Sequence, residues 1–258
     1  MKYDSLWNVD LTKNQQDRVA RSAPQFIPVC EMVFGDKPIS ILEIGVFRGG
    51  LTELFRNSKL NIQTYVGIDP FGGTGDDPYI GSYWKGQEEA QRVYEETAAK
   101  FRNWGFDLQR TNSRQYLGNL HPDIYYDLIY VDGDHRFPHA YWDMCAAIPH
   151  VSSTGLLAVD DYANCDVPEV TTALNQFLTY HSLNILRAGY VENSFVNAGK
   201  SVPLVQRTVY IQPQAIESRV TLPLPVIDCQ CLAPRSILYK IMDVSPRLLF
   251  HWFRGAIK

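Results

Sequence analysis

Along the chain, short apolar runs alternate with longer stretches in which apolar residues recur every three or four positions. Short runs bounded by Gly, Pro, Asp or Ser read as buried strands, and the longer period reads as amphipathic helix. Strands are predicted at 39–44, 64–68, 106–110, 126–131, 155–159, 184–188 and 205–211. Between them, helices are predicted at 49–57, 87–104, 113–119, 138–148 and 168–181, preceded by a helical lead-in over 11–34. This alternation builds βα units and a mostly parallel sheet. The last two strands differ, because AGYVENSFVNAGKSVP between them is polar, offers an Asn-Ala-Gly turn and contains no crossover helix. A direct antiparallel connection is expected there. The predicted fold class is α/β, a Rossmann-like doubly wound sheet of seven strands, mostly parallel with one antiparallel strand and helices on both faces.

After Ile211 the pattern changes. QPQAIESRVTLPLPVIDCQCLAPRS holds four prolines without a clean period and reads as an extended connector. In SILYKIMDVSPRLLFHWFRGAIK, Pro246 restarts a helical pattern, with Arg247, His251, Arg254 and Lys258 on one face and Leu248, Leu249, Trp252 and Phe253 opposite. Three parts follow: an N-terminal helical lead-in (1–38), a main domain (39–211), and a connector with a basic amphipathic appendage (212–258).

Composition narrows the function. With 258 residues, 45% hydrophobic and 20% charged, the chain is an ordinary globular one, long enough for one elaborated domain. A net charge of -4 without a long basic run argues against a nucleic-acid partner. The five cysteines are odd in number and scattered, which argues against a disulfide framework and for a reducing compartment. The first 22 residues have no apolar core, so no secretory signal is expected, and no apolar run approaches the roughly 18 residues of a membrane span. The expected location is cytoplasmic. The basic C-terminal end adds an expectation of peripheral contact with the cytoplasmic face of a membrane, or of a homo-oligomer contact.

Candidate chemistry clusters where strands end. ILEIGVFRGG runs from the first strand into a helix, and Gly45, Gly49 and Gly50 allow a sharp turn close to a ligand. Glu43 stands just before that loop, and Asp69 ends the second strand in YVGIDPF, where an acid accepts hydrogen bonds from ribose hydroxyls. A nicotinamide cofactor fits badly, because Phe47 occupies the place of the second glycine and Glu43 would repel a pyrophosphate. S-adenosylmethionine, with a ribose, a sulfonium and an amino group but no phosphate, fits better. The fourth and fifth strands end in YVDGDH and AVDDY, so Asp132, Asp134, Asp160 and Asp161 converge on one crevice. Converging carboxylates call for protons or a cation, and Mg²⁺ or Mn²⁺ matches all-oxygen ligands. His135, beside the acids, is a candidate base, while His139 reads as a wall residue. PFGGTGDDPYIGSYWKG, after the second strand, reads as a lid or acceptor wall in which Tyr79, Tyr83 and Trp84 could stack on a sugar or ring.

LEIGVFRGG, GIDPF, RTNS, YVDGDH with Asp143 eleven residues after Asp132, and STGLLAVDDY occur in one order over roughly residues 39–181. This combination resembles the class I S-adenosylmethionine-dependent methyltransferases, and within them the group of macrocin-type and aminocoumarin sugar O-methyltransferases. The resemblance implies that Glu43, Gly45 and Gly49 hold the methionine moiety, Asp69 the ribose, and Asn112 and Ser113 the adenine. Asp132 would join the donor-binding set and also hold the metal with Asp160 and Asp161. Asp134 would be the general base, with His135 as its substitute. VSSTGLL departs from the Pro-Gly-Gly usual before the fifth strand, at a turn remote from the chemistry.

The expected activity is therefore divalent-metal-assisted methyl transfer to a hydroxyl of a sugar, glycan or glycosylated metabolite. A metal-independent small-molecule methyltransferase is the alternative enzyme. A non-catalytic nucleotide-binding scaffold is the alternative of another class, disfavoured by the retention of every expected acid.

Overall fold

The structure is a computed structural model that describes residues 26–72, 85–164, 167–195 and 204–218. Its strands are β1 (Pro38–Ile44), β2 (Asn61–Ile68), β3 (Asp107–Gln109), β4 (Tyr126–Val131), β5 (Val151–Tyr162), β6 (Ile185–Phe195) and β7 (Leu204–Pro213). Its helices are α1 (Phe26–Phe34), α2 (Gly50–Arg56), α3 (Gln87–Trp104), α4 (Ser113–Gly118), α5 (Phe137–Ala147) and α6 (Pro168–Tyr180). The seven strands form one sheet in the order β3-β2-β1-β4-β5-β7-β6. All neighbours run parallel except at β7, which lies antiparallel to both β5 and β6. The predicted fold class is therefore the observed one, including the single reversed strand.

Burial follows the position of each strand in the sheet. β1, β4 and the middle of β5 are almost wholly buried, as central parallel strands covered on both faces must be. β3 at the edge is only three residues long and alternates exposed, half-buried, exposed, so it is shorter than the predicted 106–110. β2, β5 and β6 extend well beyond their predicted runs, because ladder hydrogen bonds carry a strand past its apolar segment. β7 continues through Pro213, so the sheet takes in the first residues assigned to the connector.

Helix α3 packs through Ala90, Val93, Thr97, Ala98 and Phe101, spaced at three and four residues. On the same side, α1 is driven home by Phe26, which stacks on Tyr130 of β4 at 4.8 Å. Residues 11–25 of the expected lead-in, the loop with Tyr79, Tyr83 and Trp84, and the basic C-terminal pattern lie outside the described residues.

The consequence for function is the reversal of strand order at β1. The chain moves outward from β1 to β2 and β3 on one side, then returns to β4 on the other. Ligands of doubly wound sheets bind in the crevice that opens at the carboxyl ends of strands at such a point. Both predicted constellations end there.

Candidate functional site

The site begins where β1 and β4 end side by side. The N–H of Asp132 donates to Ile44 O at 2.8 Å and that of Gly45 to Ile68 O at 2.9 Å, so the sheet extends into both loops. Gly45 has φ +90°, and a Cβ there would lie 1.9 Å from the Asp132 carbonyl oxygen. Only glycine satisfies both conditions. Gly49, at φ +73°, then turns the chain into α2.

Beneath this loop Glu43 is 1% exposed. Its Oε2 accepts hydrogen bonds from Thr52 Oγ1 at 2.7 Å and Tyr65 OH at 2.6 Å. Burial pushes its carboxyl up to about 8, despite the lowering effect of those two hydroxyls. The acid expected at the methionine moiety is thus enclosed by protein partners. Its observed position is under the loop, where it ties β1, β2 and α2 together.

Asp69 is nearly buried, and three backbone amides converge on it. Val46 N–H and Phe47 N–H donate to Oδ2 at 3.0 and 2.8 Å, and Phe71 N–H to Oδ1 at 2.7 Å. The carboxylate thus braces the glycine loop from β2, at the strand end where a ribose-binding acid is expected. Asn112 uses its side-chain oxygen to cap α4 through Gln115 N–H at 2.8 Å. Ser113 donates its hydroxyl to Asp143 Oδ1 at 2.5 Å. Among these contacts, the hydroxyl and amide named for adenine serve the protein itself.

The acids after β4 and β5 divide differently from the expectation. Asp132, Asp161 and His135 each offer one ligand atom, and these atoms lie within 4.8 Å of one another. His135 Nε2 is 2.6 Å from Asp161 Oδ2 and 3.5 Å from Asp132 Oδ1. At 2.6 Å it is a close ion-pair partner, yet this buried nitrogen makes no well-directed hydrogen bond. Burial alone would lower the imidazole pKa, but the two carboxylates outweigh it and raise it to about 10. Asp132 is raised, chiefly by burial and then by the charge of Asp161 against the opposing pull of His135.

Asp160, also expected among the metal ligands, bonds to the neighbouring strand and to Tyr130. Its Oδ1 accepts from Thr208 Oγ1 on β7 at 2.8 Å, and Tyr130 also hydrogen-bonds to it. Burial, then the charges of Asp132 and Asp161, push it up to about 7. Neighbouring residues of a strand point to opposite faces. A left-handed φ of +59° at Asp161 and a break in the β5–β7 register then turn Asp161 into the crevice. Among the described residues, it is His135 that groups with Asp132 and Asp161.

Asp134, the expected general base, is held by its neighbours. Arg136 grips both its oxygens through Nε at 2.9 Å, and its NH2 makes a still closer contact with Oδ2. Burial would raise Asp134, but hydrogen bonds from Arg136 and the charge of His139, 3.8 Å away, hold it below the usual carboxylate range. A carboxylate so stabilised is a weak base. Arg136, Thr52, Tyr65 and Thr208 carried no motif signal, because each meets its acid only through the fold.

Two carboxylate oxygens and an imidazole nitrogen within 4.8 Å, with a buried nitrogen lacking a directed partner, fit a divalent cation of borderline hardness. The glycine loop stands beside them at the strand ends where doubly wound sheets hold their ligands.

Residues 42–162 match the model of a family described as a methyltransferase domain. The match runs from the end of β1 to the end of β5 and so includes every acid discussed above. The chain is also similar to R132, an uncharacterised protein of Acanthamoeba polyphaga mimivirus, at 26% identity over 151 residues, 56% of this chain and 62% of that protein. It thus spans less than two thirds of that curated relative. A provisionally assigned O-methyltransferase of Klebsiella pneumoniae has the same fold at TM-score 0.50 and 15% identity, covering 80% of this chain and 93% of that one. A provisionally assigned rRNA methylase of Clostridium thermocellum also reaches TM-score 0.50, at 14% identity, covering 74% and 94%. The family match supports the expected enzyme class, a methyltransferase, and the structural neighbours show a shared fold. The two structural neighbours differ in described acceptor, so the fold leaves the acceptor open. No helix among the described residues is long and apolar enough to cross a membrane.

Proposed function

We propose that this chain transfers the methyl group of S-adenosylmethionine to a hydroxyl of a sugar, glycan or other hydroxylated small molecule, with a divalent cation held by Asp132, Asp161 and His135. The observation that carries this reading is the three-ligand cluster beside the glycine loop at the strand-order reversal. An imidazole in the set favours Mn²⁺ over Mg²⁺. A cation bound there would supply Lewis acidity that makes an acceptor hydroxyl a better nucleophile.

The chain's own residues do the rest. Methyl transfer is an in-line displacement, so alignment of donor and acceptor lowers the barrier. Asp69 and Gly45 fix the loop that lines the donor crevice, and Asp132 closes it from β4. Asp161, aimed by its left-handed backbone, presents a carboxylate to the acceptor side. Asp134 orders Arg136 and His139 at the edge of the cluster.

A second reading dispenses with the metal. His135 already sets one positive charge against the two carboxylates, as an ion pair at 2.6 Å. The experiment that separates the two is radiolabelled methyl transfer to a panel of sugars and catechols, with chelator and with added Mn²⁺ or Mg²⁺. Loss with chelator and recovery with metal supports the first reading; chelator-resistant transfer supports the second. Transfer to none of the panel, with S-adenosylhomocysteine bound, rejects the acceptor class. Contact with a membrane surface or a second copy through 212–258 stays a proposal based on the basic amphipathic pattern alone.

A further inference from the structure

We infer that the first turn of α6 is a clamp that sets the spacing between the two loops of the cation site, with Thr171, Asn164 and Glu169 as positioning residues. The inference rests on the metal-assisted reading above. The proposed ligands come from two separate loops: Asp132 and His135 follow β4, and Asp161 stands at the end of β5. One helical turn grips both. Glu169 Oε2 accepts the N–H of Phe137, two residues beyond His135, at 2.7 Å. Two positions along α6, Thr171 Oγ1 accepts the N–H of Ala163, two residues beyond Asp161, at 2.8 Å.

The second loop needs such support. Asp161 and Ala163 both have left-handed backbones, with φ +59° and +63°. Side-chain-bearing residues stay in that region only where their surroundings over-determine it. Asn164 supplies a further constraint. Its Nδ2 donates to Asp161 Oδ1 at 2.9 Å, while its own N–H returns to Asp161 O at 3.2 Å. With Oδ1 so held, Oδ2 is directed toward His135. Outer groups that orient ligands in this way tune metal affinity without touching the ion.

The test is calorimetric Mn²⁺ titration of the full chain, paired with S-adenosylhomocysteine titration, for the unmodified protein, Thr171→Val, Thr171→Ser and Asn164→Ala. Thr171→Val and Asn164→Ala are expected to bind Mn²⁺ about 10-fold more weakly or worse. S-adenosylhomocysteine affinity should not change, and Thr171→Ser, which keeps the hydroxyl, should restore Mn²⁺ binding. Unchanged Mn²⁺ affinity in Thr171→Val and Asn164→Ala overturns the clamp while leaving the metal reading intact. Equal losses of both ligands, or no rescue by serine, overturn it as a mere loss of structure. Absence of Mn²⁺ binding by the unmodified protein overturns the metal reading and the clamp with it.

Discussion

Glu43→Gln is expected to change how the stability of this protein depends on pH. Glu43 is fully enclosed, and burial lifts its carboxyl from 4.5 to about 8. A raised carboxyl is protonated in the folded state at pH values where the unfolded chain has lost the proton. Its stabilising contribution is thus complete below pH 4.5 and is lost as pH climbs to about 8. A tenfold difference in proton affinity between the folded and unfolded chain is worth about 1.4 kcal/mol, so the group withdraws about 4 kcal/mol of stability between pH 5 and pH 8. Glutamine keeps the volume and an acceptor oxygen for Thr52 and Tyr65, yet has no proton to lose. Urea unfolding of both proteins at pH 5, 6, 7 and 8 isolates the effect, since all other titrating groups are shared. The stability of the variant relative to the parent should rise by about 4 kcal/mol across that range. A difference independent of pH would refute the reasoning. Titration with S-adenosylhomocysteine at pH 6 adds a second check, because a carboxyl sealed under the loop should not contact the donor. A large loss of affinity in a stably folded Gln variant would place Glu43 at the donor site.

Gly45→Ala should destabilise the protein by about 4 kcal/mol or more, or prevent folding, since the methyl group meets the Asp132 carbonyl from a left-handed backbone; thermal melting checks this. Asp161→Asn should weaken Mn²⁺ binding by at least about tenfold in calorimetry and leave S-adenosylhomocysteine binding unchanged. His181, buried beside Cys145, is held below its ordinary 6.5 by burial. Its stabilising contribution is present above 6.5 and lost as pH falls, so His181→Phe should flatten the acid limb of a stability profile.

Much of this architecture was written in the apolar pattern. β1, β4 and the middle of β5 are central strands, so their short, mostly apolar runs read as buried strands. β3 and the ends of β6 and β7 depend on ladder bonds with neighbours far along the chain, and local pattern is silent about those. The site divides the same way. Acids at strand ends were legible because parallel strands deliver their carboxyl ends to one side. That Asp161 meets His135 while Asp160 bonds to Thr208 was not, because it turns on a left-handed φ at Asp161 and on a residue 48 positions from Asp160. The fate of Asp134 was hidden although its partner is two residues off. Arg136 reads equally well as a solvated side chain until the loop closes the pair.

The close approach of Gly45 to Asp132 makes the two loops mechanically one. A carbonyl oxygen fills the space that any side chain at 45 would need, and backbone does not compress or change rotamer as a side chain does. A donor that displaces the first loop therefore acts on the second, which carries Asp132 and His135. Such linkage is reciprocal, and whatever factor the donor adds to the affinity for a cation, the cation returns to the donor.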